Sequence, residues 1–311
     1  AAATLGSMSL PAAHVAGTFA PLELIPVAVI AVLYAKRSST LAAKGRPVPV
    51  WRQLCFAAGL LLIGATLFSP LGHISEELIL AHMAEHLLLG DIASLLLVLG
   101  LTGPILQPVL AIRFFDRLRF FADPAFALPL WAANMVFWHI PVMYDAAYGG
   151  SPVHALEHAS FLFFGAMMWM PVFGPLPTPA WFTAGWKVAY VIIVRLLGAA
   201  FGNFLMWSGT LLYKSYSAGQ AYWGIDPITD QSTAGVIMMV EGTFLALGVL
   251  AWTFFEAARE GDEKQRLLDL ARDRGVEIDA ERVRRAVASG HGGRLERQLR
   301  EAGRDAEREP A

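Results

Sequence analysis

His82-Met83-Ala84-Glu85-His86 sets two imidazoles and a carboxylate into a run that is otherwise apolar enough for a lipid bilayer. Side chains four apart stand one above the other on one face of a helix, a spacing from which two imidazoles can share a metal ion or flank a cofactor. The same spacing recurs at His154 and His158, and His139 falls between the two pairs along the chain. A lone intramembrane histidine serves more often as a hydrogen-bonding residue between helices than as a ligand. Ionisable groups inside a membrane cost about 2.5–3.5 kcal/mol each even on the lenient insertion scale, so a cluster of them faces the bundle interior and has a function.

The composition of the rest of the chain is that of a membrane protein. Of 311 residues, 56% are hydrophobic and 16% charged, whereas soluble domains carry about 25% charged residues. The net charge of -2 conceals a nearly charge-free stretch followed, after Arg259, by one dense in both signs. Crossing a hydrocarbon core of ~30 Å takes roughly 20 apolar residues. Seven such spans are expected, at about Phe19 to Tyr34, Trp51 to Ser69, Glu77 to Leu101, Pro124 to Met143, Pro152 to Phe173, Trp186 to Trp207 and Ser232 to Glu256.

The expected fold is therefore all-α, a polytopic seven-transmembrane-helix bundle with a short cytoplasmic helical tail. Residues 1–18 form an outside N-terminal segment, 19–258 the membrane domain and 259–311 the tail. Ala1 to Ser7, ahead of Met8, are set aside as a processing remnant. In the tail, Leu267, Leu268 and Leu270, then Val283 and Val287 beyond Gly275, predict two short amphipathic helices, with Gly290 to Gly293 and the charged end mobile. Cys55, the single cysteine, excludes a disulfide framework and reads as a small buried hydrophobe.

Orientation follows from the cationic loops. Lys36, Arg37, Lys44, Arg46 and Arg52 lie after span one, Arg113, Arg117 and Arg119 after span three, and arginines fill the tail, while the alternate loops carry only Lys214. The N-terminus is thus expected outside and the C-terminus in the cytoplasm, with His14 and His73 outside and His291 cytoplasmic. At 1.5 Å rise per residue, His82 and His86 fall about 8 and 13 Å below the outer surface, His154 and His158 about 3 and 9 Å, and His139 about 6 Å. Five imidazoles from three consecutive spans share one shallow layer.

Other side chains sort by the same arithmetic. Glu85, Glu157 and Glu241 fall in or just below the layer and could orient ligand imidazoles by accepting their second ring N–H. Asp91 and Arg195 both fall about 20 Å down, and they are expected to form an intramembrane ion pair. Met83, Met143, Met206, Met238 and Met239 lie in outer halves of spans, where thioethers beside imidazoles suit Cu(I), although methionine is also an ordinary filler of helix interfaces. Trp51, Trp138, Trp207, Tyr213 and Trp223 near span ends read as an interfacial belt.

Four stretches, in order, carry a resemblance: His82 to Leu89; Trp138-His139-Ile140-Pro141 with Tyr144-Asp145-Ala146-Ala147; His154 to Phe161; and Asp230-Gln231-Ser232-Thr233-Ala234-Gly235-Val236-Ile237-Met238. Over about Pro70 to Trp252 the chain resembles the CtaG-type family of seven-span cytochrome c oxidase assembly factors. The resemblance implies a bacterial plasma-membrane protein that matures a haem-copper oxidase at the copper-delivery step, or acts in copper homeostasis. It carries over His82, His86, His139, His154 and His158 as metal-site residues, with the Asp230-Gln231 stretch. The chain departs from the family pattern where Asp91-Ile92-Ala93-Ser94 stands in place of a Pro-containing turn, and where Glu241 stands in place of a proline.

The expected function is to take copper, as Cu(I), from an outer-side donor and pass it to an oxidase subunit in the same bilayer. Two alternatives stay open: haem held by imidazoles of neighbouring helices, making an electron-transfer protein, and a copper or proton transporter with Asp91 and Arg195 on its path. Span seven has no lysine for a retinal Schiff base. Without a serine elbow, a phosphate-binding glycine loop or a nucleic-acid-type basic face, the chain is not expected to be an enzyme or to bind nucleic acid.

Overall fold

The computed structural model describes residues 21–112, 120, 123–148, 152–288 and 291–306. Ala1 to Ser7, Met8, His14, the loop arginines Arg113, Arg117 and Arg119, and Gly290 lie outside the described residues. The described residues contain helices and no strand. Among the described residues six helices are long and apolar enough to cross a membrane, and the number rises to seven if a bent pair is counted as one span. The protein is accordingly a multi-pass membrane protein.

The first helices are α1 (Pro21–Ala43) and α2 (Val50–Phe68), followed by the short α3 (Pro70–Ile74). Helix α1 runs on past the expected end at Tyr34. Its polar last turns are tied down by the Tyr34 hydroxyl donating to the Gly100 carbonyl at 2.9 Å and by Arg37 donating to the Pro104 carbonyl at 2.9 and 3.1 Å. Ser69 separates α2 from α3, its side chain accepting from the Leu71 amide with Pro70 at the first helical position.

The third span, Ile79–Gly100, is a composite of α4 (Ile79–Leu87), a π-helical turn (Leu88–Ala93) and α5 (Ser94–Gly100). A π turn accommodates one more residue than an α turn and leaves carbonyls poorly matched to the ladder. Side chains take them up: Ser94 Oγ donates to the Gly90 carbonyl, and Trp169 Nε1 donates to the Asp91 carbonyl at 3.0 Å. The chain then forms α6 (Gly103–Leu110).

The fourth span is the bent pair α7 (Pro124–His139) and α8 (Pro141–Ala147), which meet at 76°. Pro141 forces the break. The residue before a proline is driven out of the α region, and Ile140 sits at φ -66, ψ 126. Next come α9 (Pro152–Phe173), α10 (Ala184–Trp207), the loop helix α11 (Ser217–Trp223) and α12 (Pro227–Asp273). Helix α9 crosses the π turn where a Cβ on Gly165 would collide with the Gly90 carbonyl, and α10 crosses α12 at Gly202 and Gly235 in the same way. Such glycine contacts let backbones approach in a medium that supplies no hydrophobic force between helices.

Contacts divide the chain into two compact units, up to Leu245 and from Ala246 onward. In the second, α12 continues unbroken to Asp273, where the leucines at 267–270 were expected to begin a separate helix; the stop comes instead at Gly275, with φ +66. Helices α13 (Ala280–Ala288) and α14 (Gly292–Ala306) follow. Leu267, Ala271, Val283, Val287, Leu295 and Leu299 form a buried cluster. The expectation of a loose charged end is thus corrected: Leu295 and Leu299, spaced i,i+4, give α14 an apolar stripe to bury.

Candidate metal centre

Helix α4 begins three residues before His82, the first residue of the site, and its start is fixed from elsewhere in the chain. Leu78, extended at φ -133, ψ 134, offers no side-chain cap. The Asp230 carboxylate serves instead, accepting from the Ile79 and Leu80 amides at 2.9 Å each and from Gln220 Nε2 at 2.8 Å. Gln231 beside it accepts from the Leu212 amide and donates to Ser208 Oγ and the Thr210 carbonyl at 2.8–3.0 Å. The Asp-Gln stretch therefore positions α4 and the loop before α11.

His82 and His86 are both buried, with ring centroids 4.2 Å apart. Helix α9 brings His154, Glu157 and His158 against them. The rings of His82 and His154 are 5.5 Å apart, those of His86 and His158 5.2 Å, and those of His154 and His158 4.1 Å. One ligand atom from each of His82, His86, His154 and Glu157 lies within 4.8 Å of all the others, and Glu85, His154 and His158 form a second such set.

Three of the carboxylate–imidazole contacts are long. Glu157 Oε1 is 3.8 Å from both His82 Nε2 and His86 Nδ1, and Glu85 Oε2 is 3.7 Å from His158 Nε2, all beyond hydrogen-bond length. His82 Nε2, His86 Nε2, Glu157 Oε2 and both ring nitrogens of His158 are buried without a hydrogen-bond partner. Buried polar atoms are seldom left so. Three imidazoles and a carboxylate whose donor atoms lie this close can surround a single cation. Glu157 thus stands among the imidazoles rather than behind them, while Glu85 faces His158.

His139, the fifth imidazole, is placed differently. As the last residue of α7, ahead of the Pro141 break, its Nδ1 lies 2.7 Å from the Met135 carbonyl and its ring packs on Phe201. With Met83, Met135, Met238, His86 and Asp91 it lines a cavity of about 40 Å³. Two of the supporting methionines, Met83 and Met238, are thus beside the imidazole cluster and not in it.

The sequence reading missed a tyrosine wall. Tyr144 stacks on Tyr213 at 3.8 Å and stands 4.9 Å from His82, with Tyr216 6.1 Å from the same ring. Tyr213 is fully buried and donates to the His139 carbonyl at 3.0 Å. Burial pushes the Tyr213 and Tyr216 phenols above their ordinary value, so both remain neutral. The interfacial-belt assignment is wrong for Tyr213 and for Trp138, whose buried Nε1 donates to Ser160 Oγ at 2.7 Å. Tyr213 and Tyr216 lie three residues apart in the loop just before α11, where no helical periodicity marks them.

The expected Asp91–Arg195 ion pair does not form. Arg195 Nη2 donates to the Met239 carbonyl at 3.0 Å and to Thr243 Oγ1 at 2.6 Å. Equal depth did not mean facing directions, because Asp91 sits in the π turn, where the extra residue changes the phase of the helix. Glu241 is near enough to feel both Asp91 and Arg195, and its carboxylate oxygens are buried without a hydrogen-bond partner. It supports this lower group of charges rather than the imidazoles.

Residues 32–260 match the model of a family described as cytochrome c oxidase caa3 assembly factor (Caa3_CtaG). No curated protein and no solved structure matches the chain.

Proposed function

The chain belongs to the cytochrome c oxidase caa3 assembly factor family, and from that premise we propose that it binds copper at the imidazole cluster and hands it to an oxidase subunit in the same membrane. Its role is in cytochrome c oxidase assembly; copper as the cargo is our reading. The observation that carries it is the convergence of His82, His86, His154 and Glu157 from two helices within 4.8 Å.

Cargo transfer needs a site that binds without locking. Carboxylate contacts of 3.7–3.8 Å at His82, His86 and His158 are too long to hold those rings by hydrogen bonds. Asp230 and the glycine crossing at Gly90 and Gly165 keep α4 and α9 in register, so the donors are preorganised although their own contacts are loose. Glu157 supplies negative charge in a medium where an unaccompanied cation is costly. In this reading the cluster lies in the outer leaflet of a bacterial plasma membrane, the N-terminus is outside and the C-terminus cytoplasmic, and copper arrives from an outer-side donor.

A haem reading is less favoured. The His82 and His86 rings are 4.2 Å apart and pack against His154 and Tyr144, an arrangement that suits an ion better than a macrocycle between imidazoles. Metal analysis of purified protein is the test. Wild-type protein should retain copper that an H82A/H86A/H154A variant does not, and oxidase produced with the variant should be copper-poor. Equal copper in the two proteins would sink the reading.

A further inference from the structure

The cavity of about 40 Å³ beside the cluster is lined by three thioethers, those of Met83, Met135 and Met238, and by two imidazoles, those of His139 and His86. That space is enough to hold a single ion. The His139 ring is set as a metal-binding histidine usually is. Nδ1 lies 2.7 Å from the Met135 carbonyl, which fixes the proton there, and Nε2 is left with a free lone pair, buried and without a partner. His86 belongs to both places. Its Nδ1 faces Glu157 in the cluster at 3.8 Å, while its Nε2 is buried and unpartnered.

The two donor sets differ in chemistry. The cluster offers nitrogen and carboxylate oxygen, which suit several divalent metals as well as copper, whereas thioethers beside neutral imidazoles select Cu(I). Asp91, also on the cavity wall, contributes at most one negative charge, which matches a monovalent ion and falls short of a divalent one.

We propose that this cavity is a second, Cu(I)-selective site, with Met83, Met135, Met238 and His139 as donors and His86 as the group shared with the cluster, so that copper crosses between the two by exchanging one imidazole contact at a time. The inference rests on copper being the cargo of the cluster. Copper stays Cu(I) throughout the crossing, and no electron or proton is transferred.

The test loads purified protein anaerobically with Cu(I) against a competing chelator and records copper-edge X-ray absorption. Wild-type protein should bind two ions per chain, with sulfur scattering present. M83L/M135L/M238L, which keeps side-chain volume, should lose one ion and all sulfur scattering, and H82A/H154A should keep the sulfur-ligated ion and lose the other. Fully loaded wild-type protein with nitrogen and oxygen neighbours alone overturns the proposal without reference to any variant, and so does a methionine variant that keeps two ions. Undiminished binding in H82A/H154A with sulfur scattering lost in the methionine variant would instead overturn the reading of the cluster.

Discussion

Asp230 and Glu157 are carboxylates of the same membrane unit, 0% and 1% exposed, yet they stand in opposite situations. Asp230 accepts three hydrogen bonds of 2.8–2.9 Å from two backbone amides and a glutamine. Glu157 has imidazole nitrogens at 3.8 Å and an Oε2 with no partner. A buried carboxylate with its bonds made is part of the architecture, because removing it strands the donors it served. One ringed by imidazoles beyond bonding distance adds little to folding and retains its capacity to hold a cation. Burial alone does not distinguish the two.

The strongest way to break this contrast is to remove ligands. H82A/H154A should weaken copper binding at the cluster by about 10³-fold, roughly 4 kcal/mol, in chelator-competition titrations, while the thermal midpoint in detergent stays within a few degrees of wild type. A large fall in that midpoint would mean that the cluster is architectural after all. Asp230→Ala should cost about 3 kcal/mol of stability, since it leaves the Ile79 and Leu80 amides unsatisfied at the start of α4. Denaturant titration would measure it, and a cost below about 1 kcal/mol would remove the architectural half of the comparison. Glu157→Gln keeps shape and loses charge; copper affinity should fall about tenfold, or 1.4 kcal/mol, with folding unchanged.

The smallest effect belongs to a solvated carboxylate in the second unit. Hydrogen bonding from Arg300 holds the Glu296 carboxyl below its ordinary value of 4.5. A depressed folded-state pKa gives stability that is present above that value and lost as pH falls through the lower, folded one. Solvent screening limits it to under about 0.5 kcal/mol. Hydrogen exchange of α14 amides at pH 7 and pH 3 should differ correspondingly little after correction for intrinsic rates, and Glu296→Gln should remove the difference.

Depth along a helix is a one-dimensional quantity, and it was legible: uniform rise placed His82, His86, His154 and His158 in one layer, and the structure brings all four together. Direction around the helix was not legible where winding is irregular. His139 shares the depth, but the turn forced by Pro141 and the bond to the Met135 carbonyl set its ring apart. Asp91 lies on a π turn and misses Arg195. Asp230 was placed near the site as a motif residue, and its task, capping a helix about 150 positions earlier in the chain, leaves no local trace in sequence. In the tail, Leu295 and Leu299 carried the periodic signal of a helix, but the density of charge around them obscured it.

The wide turn at Leu88–Ala93 also bears on how relatives of this chain are aligned. Six residues there complete what regular winding would complete with one fewer. Loss of a single residue from this stretch restores ordinary winding and leaves the helix beyond it in nearly the same direction relative to His82 and His86. An insertion or deletion in a loop changes length and little else. Here it removes the wide turn itself, so a one-position gap at this point in a homologue marks the loss of the π turn and of its displaced carbonyls, with the flanking side chains still facing the same way.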